Sequence, residues 1–182
     1  MYMSLMKEVF IFDMDGCVLP SMFPNIHDNG QSREEMIKEV LENGIRTSLF
    51  PEFIGFYKTH CKTAESIFFM TGRQKSELGE LTETQLSPLK EIKPFQIIFY
   101  PEGKAHVAKE YFDWKVNRMG EIFNNYIDPE LHNENSKGKY IFKIFDDMPD
   151  YFPRIKEIAE NQGLNIALQA IKGPEDWKDE PK

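Results

Sequence analysis

Val9-Phe10-Ile11-Phe12-Asp13-Met14-Asp15-Gly16-Cys17-Val18 is the stretch from which the rest of the chain can be read. Four apolar residues run together without polar alternation, the pattern of a strand buried on both faces. Two carboxylates follow, two residues apart, with a glycine behind them. In a parallel sheet the carboxyl ends of the strands line the ligand crevice. Like charges placed there are unfavourable unless a cation or a reaction requires them. Asp13, directly after the strand, suits a nucleophile or a hard-metal ligand. Asp15 suits a general acid and base. Gly16 lets the chain turn with no side chain in the way. Taken alone, the segment also reads as a plain acidic turn at a strand end.

Four further apolar runs have the same character: Ile67–Met70, Phe95–Phe99, Tyr140–Phe145 and Leu164–Leu168. Helical patterns lie between them, so a doubly wound α/β fold with a parallel sheet of about five strands is expected. Ser32-Arg33-Glu34-Glu35 is a capping box ahead of a helix that stops near Gly44. Pro51 opens a second helix reaching about Lys62. A third covers Gln74–Ile92, with Gly79 and Pro88 as expected breaks. A fourth starts near Asp113, and a fifth runs from about Asp150 to Gln162, with Gly163 as its stop. The turn-rich segments 20–31 and 127–139 read as surface loops. One domain over residues 1–172 is expected, followed by a charged tail over 173–182 that is solvated or weakly docked.

Composition narrows the function. Apolar residues make up 41% of the 182, enough for a real core, so disorder is excluded as the main reading. A formal charge of −8 argues against a generic binder of phosphate backbones. Cys17 and Cys61 are the two cysteines, which rules out a disulfide framework or a paired-cysteine metal knuckle. His27, His60, His106 and His132 show no ligand spacing. No apolar run approaches membrane length and the N-terminus lacks a signal cleavage site, so a cytoplasmic protein with no membrane partner is expected.

Three more segments bear on the chemistry. Ile67–Met70 runs into Thr71-Gly72-Arg73, where a hydroxyl and free backbone N–H groups at a strand end would cradle a phosphate. Lys115, one turn into the expected fourth helix, would bring an ammonium to a phosphate or to Asp13. Ile141–Phe145 ends in Asp146-Asp147-Met148-Pro149-Asp150, a second acidic cluster at a strand end. Its oxygen-only composition suits Mg²⁺. Asp150 is expected to cap a helix, and Asp146 or Asp147 to belong to a site.

DxDG, then TGR, then a helical lysine, then DD, in this order, resembles the haloacid dehalogenase superfamily of phosphohydrolases. The likeness spans about Val9 to Leu168. It implies that Asp13 attacks phosphorus to form an aspartyl-phosphate. Asp15 would protonate the leaving oxygen and then activate water. Thr71 would bind phosphoryl oxygens, with Gly16, Gly72 and Arg73 beside it, and Lys115 would neutralise charge. Mg²⁺ would be held by Asp13, a carbonyl at Asp15, and Asp146 with Asp147 close by. The lysine of this pattern could instead be Lys104 or Lys109. Cys17 stands where the family commonly has Thr and reads as structural.

The 55 residues between Asp15 and Thr71, and the 41 between Arg73 and Lys115, leave no room for a full lid domain. An open site is therefore expected, with a small helical cover at most; the resemblance implies that open members tend to act on macromolecular phosphates or to close through a partner. Met70-Thr71-Gly72-Arg73, Phe112-Asp113-Trp114-Lys115 and Phe145-Asp146-Asp147 with Asp150-Tyr151-Phe152 resemble the phosphatase domains of nucleic-acid end-repair proteins, among them the Swiss Army Knife RNA-repair proteins. Met148 departs from that pattern, where an arginine is common, and the charge of −8 disfavours nucleic acid. Tyr151, Phe152 and residues 20–24 read as rim packing or a stacking surface. A sugar or nucleotide phosphatase and a non-catalytic phosphate-binding module on the same fold are the alternatives. A receiver domain would carry its Asp, Thr and Lys in another order, and an EF-hand fails on the early glycine.

Overall fold

The structure is a computed structural model of the chain and describes residues 6–23, 31–104, 107–127 and 138–178. Five strands form one all-parallel sheet: β1 (Lys7–Phe12), β2 (Ser66–Gln74), β3 (Gln96–Tyr100), β4 (Tyr140–Asp146) and β5 (Asn165–Ala170). Their order across the sheet is β3-β2-β1-β4-β5. β1 is central, paired through Phe10↔Ile67 on one side and Phe10↔Lys143 on the other. That position explains its unbroken apolar run, because both faces are covered.

Alternate residues of β1 feed two separate cores. Phe10 and Phe12 point to the face covered by α2 (Pro51–Phe56), where they pack with Phe53, Phe56, Phe69 and Phe145. Val9 and Ile11 point to the other face, against Val116, Met119 and Phe123 of α4 (Ala108–Asn124) and Ile155 of α5 (Phe152–Gln162). The sheet is thus doubly wound, as expected. A third small cluster joins Val40 of α1 (Arg33–Gly44) to Leu78 and Leu81 of α3 (Lys75–Leu86).

Several helix signals behave as their chemistry dictates, but Asp150 does not cap one: it lies inside a 3-10 turn over Pro149–Tyr151, and α5 starts after Tyr151 with no side-chain cap. The capping box forms: Ser32 Oγ accepts from Glu35 N, and the Glu35 carboxylate accepts from Ser32 N at 2.9 Å. Gly163 closes α5 in the left-handed region, φ 66°. The helix opened at Pro51 changes to a wider π turn over Tyr57–Cys61. Gly79 does not break α3, which runs through it from Lys75 to Leu86. The break falls instead at Pro88, in a 3-10 turn over Ser87–Leu89.

One expectation is corrected and one alternative is decided. The fourth helix begins at Ala108, not near Asp113, so Lys115 lies two turns inside it. Of the two readings of the charged tail, the described part takes the docked one: Pro174–Lys178 form a 3-10 turn, and Trp177 is 3% exposed among Phe12, Phe53, Phe56 and Phe145. Burial of one indole outweighs the charge of its neighbours. Most of the two expected surface loops, the end of the tail, and His27, His106 and His132 lie outside the described residues. Among the described residues, no helix is long and apolar enough to cross a membrane.

Candidate active site

The carboxyl end of β1 turns sharply. Val18 N and Cys17 N both donate to Met14 O, and Gly16 N donates to Leu19 O at 3.0 Å. Gly16 adopts φ 81°, and a Cβ there would overlap the Asp147 carboxylate. Glycine is therefore required twice over, for the backbone and for the approach of the two acidic turns. Cys17 is wholly buried, and burial, then the charge of Asp13, pushes its thiol well up, which fits a structural role and not a nucleophile.

β1 and β4 are neighbours, so their ends bring Asp13 together with Asp146 and Asp147. One carboxylate oxygen from each lies within 4.8 Å of the others. Lys115 Nζ donates to Asp13 Oδ1 at 2.7 Å and also to Asp146 Oδ2. Lys115 is 1% exposed. Lys104 and Lys109 are exposed, so of the three lysines only Lys115 is brought to Asp13. Asp146 is further held by Tyr151 Oη at 2.6 Å and by Met148 N at 2.9 Å. Of the two readings of Tyr151, packing holds and stacking does not, since its ring is buried and its hydroxyl is committed to Asp146.

Tyr111 is a member of the site that the sequence reading missed. Its hydroxyl lies 3.4 Å from Asp13 Oδ1, and the Lys115 ammonium sits 4.8 Å from its ring centroid. The signal was available: residues 111 and 115 are one helical turn apart and share a face. A second ring, Tyr151, stands 5.5 Å from the same ammonium. Burial first, then the acids, holds both phenols well above their ordinary range, so they stay neutral donors.

Burial opposes the charge on Lys115, but Asp13, Tyr111, Asp146 and Tyr151 together outweigh it and hold the ammonium well above its ordinary value. Burial likewise raises the Asp13 carboxyl well above the carboxylate range, against the pull of Lys115 and with the push of Asp146 and Asp147. Both directions fit one picture: a single ammonium keeps its proton yet cannot balance three acids. Asp147, half-buried, is pushed up to about 6 by burial and then by Asp146. An oxygen-only donor set with surplus negative charge is the chemistry of a Mg²⁺ site, so these residues fit that ion.

Asp15 faces elsewhere. Arg73 Nε and Nη2 donate to its two oxygens at 2.8 and 2.7 Å, a bidentate pair. The buried guanidinium also donates through Nη1 to Thr82 Oγ1 at 3.0 Å and Gln85 Oε1 at 2.7 Å. The sequence reading set Arg73 beside a phosphate; the structure turns it to Asp15. TGR also is not a loop after the strand. β2 runs on to Gln74, and its pairing with β3 slips between Thr71 and Gln74, which bulges Gly72 and Arg73 out of register. Thr71 is buried at the same sheet end, and its hydroxyl accepts from Arg73 N at 3.2 Å. The Asp15 carboxylate stands outside the acidic trio, so a metal contact from Asp15 would have to use its carbonyl.

A cavity of about 250 Å³ opens over this floor. Asp13, Asp15, Gly72, Arg73, Tyr111 and Asp147 form its polar side. Met36 and Ile37 of α1, with Phe23 and Leu78, form an apolar wall. The expected open site therefore has one helical flank, and Arg33 of α1 clamps it to α3 through Glu77 at 2.7 Å.

No family model matches the chain, and no curated protein matches it. A search of solved structures finds the HAD domain of effector protein Lem4 from Legionella pneumophila, an inactive mutant. It is 12% identical, with a TM-score of 0.51, over 94% of this chain and 89% of that one. The fold is haloacid dehalogenase-like. Asp13, Thr71 and Asp146 fall at the carboxyl ends of β1, β2 and β4, and Lys115 arrives from α4.

Proposed function

We propose that this protein is a Mg²⁺-dependent phosphohydrolase working through an aspartyl-phosphate on Asp13. One observation carries the reading: Asp13 shares its oxygen with the Lys115 ammonium inside an acidic trio, while Asp15, two residues on, is held apart by an arginine. Two carboxyls so close in sequence thus have different surroundings and can take different roles.

Asp13 attacks phosphorus, and the bond to the ester oxygen breaks. That oxygen leaves with a proton from Asp15. Asp15 then takes a proton from water as its oxygen attacks the aspartyl-phosphate, which releases phosphate and restores Asp13. Each oxygen of Asp15 keeps a second lone pair beyond its bond to Arg73, so the proton has a place. Lys115 holds the attacking carboxylate and screens its charge. Asp13, Asp146 and Asp147 would hold Mg²⁺, which neutralises phosphoryl charge when bound.

A compact phosphate monoester suits the cavity better than a nucleic-acid end. Its two described arginines, Arg33 and Arg73, are both paired with acids, and its far wall is apolar. The test is phosphate release by purified protein with Mg²⁺ from phosphorylated sugars, nucleotides, phosphopeptides and 3′-phosphate oligonucleotides. Release from small esters supports this reading, and release from oligonucleotides or phosphopeptides favours a macromolecular substrate. Inertness on all four supports the non-catalytic module.

A further inference from the structure

Arg73 does not hold Asp15 unaided. Its Nη1 is fixed by two buried acceptors on successive turns of α3, Thr82 and Gln85. Thr82 Oγ1 is itself oriented by donating to Leu78 O at 2.7 Å. Gln85 is oriented from its other end: Nε2 donates to Gly44 O at 3.0 Å and to Thr47 O at 3.2 Å. Those carbonyls close α1, whose Met36 and Ile37 wall the cavity. A continuous chain of hydrogen bonds therefore runs from Asp15 through Arg73 and Gln85 to the end of the helix that flanks the cavity.

We propose that Gln85 and Thr82 are positioning residues for the acid–base carboxyl, acting through Arg73, and that Gln85 ties the position of Asp15 to that of the α1 wall. This rests on the phosphohydrolase reading. Asp15 serves proton transfer to the leaving oxygen, so its misplacement costs most when the leaving group needs that proton. An amide at position 85 fits because it supplies one acceptor and two donors at once. Removing it takes one buried acceptor from the guanidinium and the side-chain donor from Gly44 O and Thr47 O, so the guanidinium is held less firmly on the α3 side.

The test compares Gln85→Met and Thr82→Val with the wild type on an alkyl phosphate and on p-nitrophenyl phosphate, with Mg²⁺. On the alkyl ester, kcat should fall by about tenfold to a hundredfold with KM unchanged, since small misplacements of a reacting group have effects of that order. On p-nitrophenyl phosphate the first burst of p-nitrophenolate should keep its rate, because that leaving group departs without a proton, while later turnover slows because Asp15 is also the base for water. The Nε–Hε resonance of Arg73 should shift in both variants. A burst on p-nitrophenyl phosphate slowed as much as kcat on the alkyl ester, or an unmoved Arg73 resonance in a folded variant, overturns the proposal. A wild type inert on both esters removes the phosphohydrolase reading instead, and the Arg73 resonance still decides whether Gln85 and Thr82 hold the guanidinium.

Discussion

Trp177 Nε1 donates to Cys17 O at 2.9 Å, so the far end of the described chain is fastened to the turn that carries Asp13 and Asp15. The indole packs against Phe12 and Phe53 beneath that turn. Trp177→Phe keeps an aromatic ring and loses the N–H, which should destabilise by about 1 kcal/mol. Trp177→Ala also empties the space and should cost about 3–5 kcal/mol. A melting temperature for each checks the order. Equal stability of Trp177→Ala and wild type would show the contact to be idle.

Much of the fold was legible because the strands are buried on both faces. Each of the five apolar runs became a strand, since a parallel sheet flanked by helices leaves no polar alternation to confuse the reading. The acids at strand ends were legible for the same reason. Trp177 was not, because Glu175, Asp176 and Lys178 around it read as solvated. The start of α4 was not either: Val107 precedes it with no side-chain cap, so nothing in the sequence marked Ala108. The partner of Arg73 was hidden by distance, 58 residues along the chain, and by a bulge that no local pattern announces.

Lys115→Met should be destabilised at neutral pH, because it removes the ammonium that reaches Asp13 and Asp146. Breaking a buried pair from one side costs about 3–5 kcal/mol where the remaining charge cannot escape. Here it can be neutralised, so acid or Mg²⁺ should restore part of the melting temperature. Turnover should be lost in every condition. A melting temperature as high as wild type at neutral pH without Mg²⁺ would contradict the electrostatic account.

Asp147 gives the metal site a pH signature. Its carboxyl is raised from 3.8 to about 6 in the folded protein, so the folded state holds the extra proton between those values. Stability from this group is therefore full at the acidic end and falls as pH rises through that window. Without metal, the melting temperature of wild type minus that of Asp147→Asn should drop across the window. With saturating Mg²⁺, which favours the charged carboxylate, the same difference should rise with pH. A difference that is flat with and without Mg²⁺ would place the ion away from Asp147.

Asp13→Asn and Asp15→Asn should differ in kind. Asp13→Asn removes the attacking oxygen and a charged donor to the metal, so it should form no covalent intermediate. It also relieves one charge of the acidic trio, so its fold should stand or gain. Asp15→Asn keeps the nucleophile and loses the proton, a contribution of about 10²–10⁴-fold. p-Nitrophenolate leaves without that proton, so Asp15→Asn should release a burst of it and then turn over slowly, as water lacks its base. The measurement is rapid-mixing absorbance on p-nitrophenyl phosphate with Mg²⁺, read beside a melting curve. A burst from Asp15→Asn and none from Asp13→Asn is the expected pair. A folded Asp13→Asn with near-wild-type rates would remove Asp13 as the nucleophile.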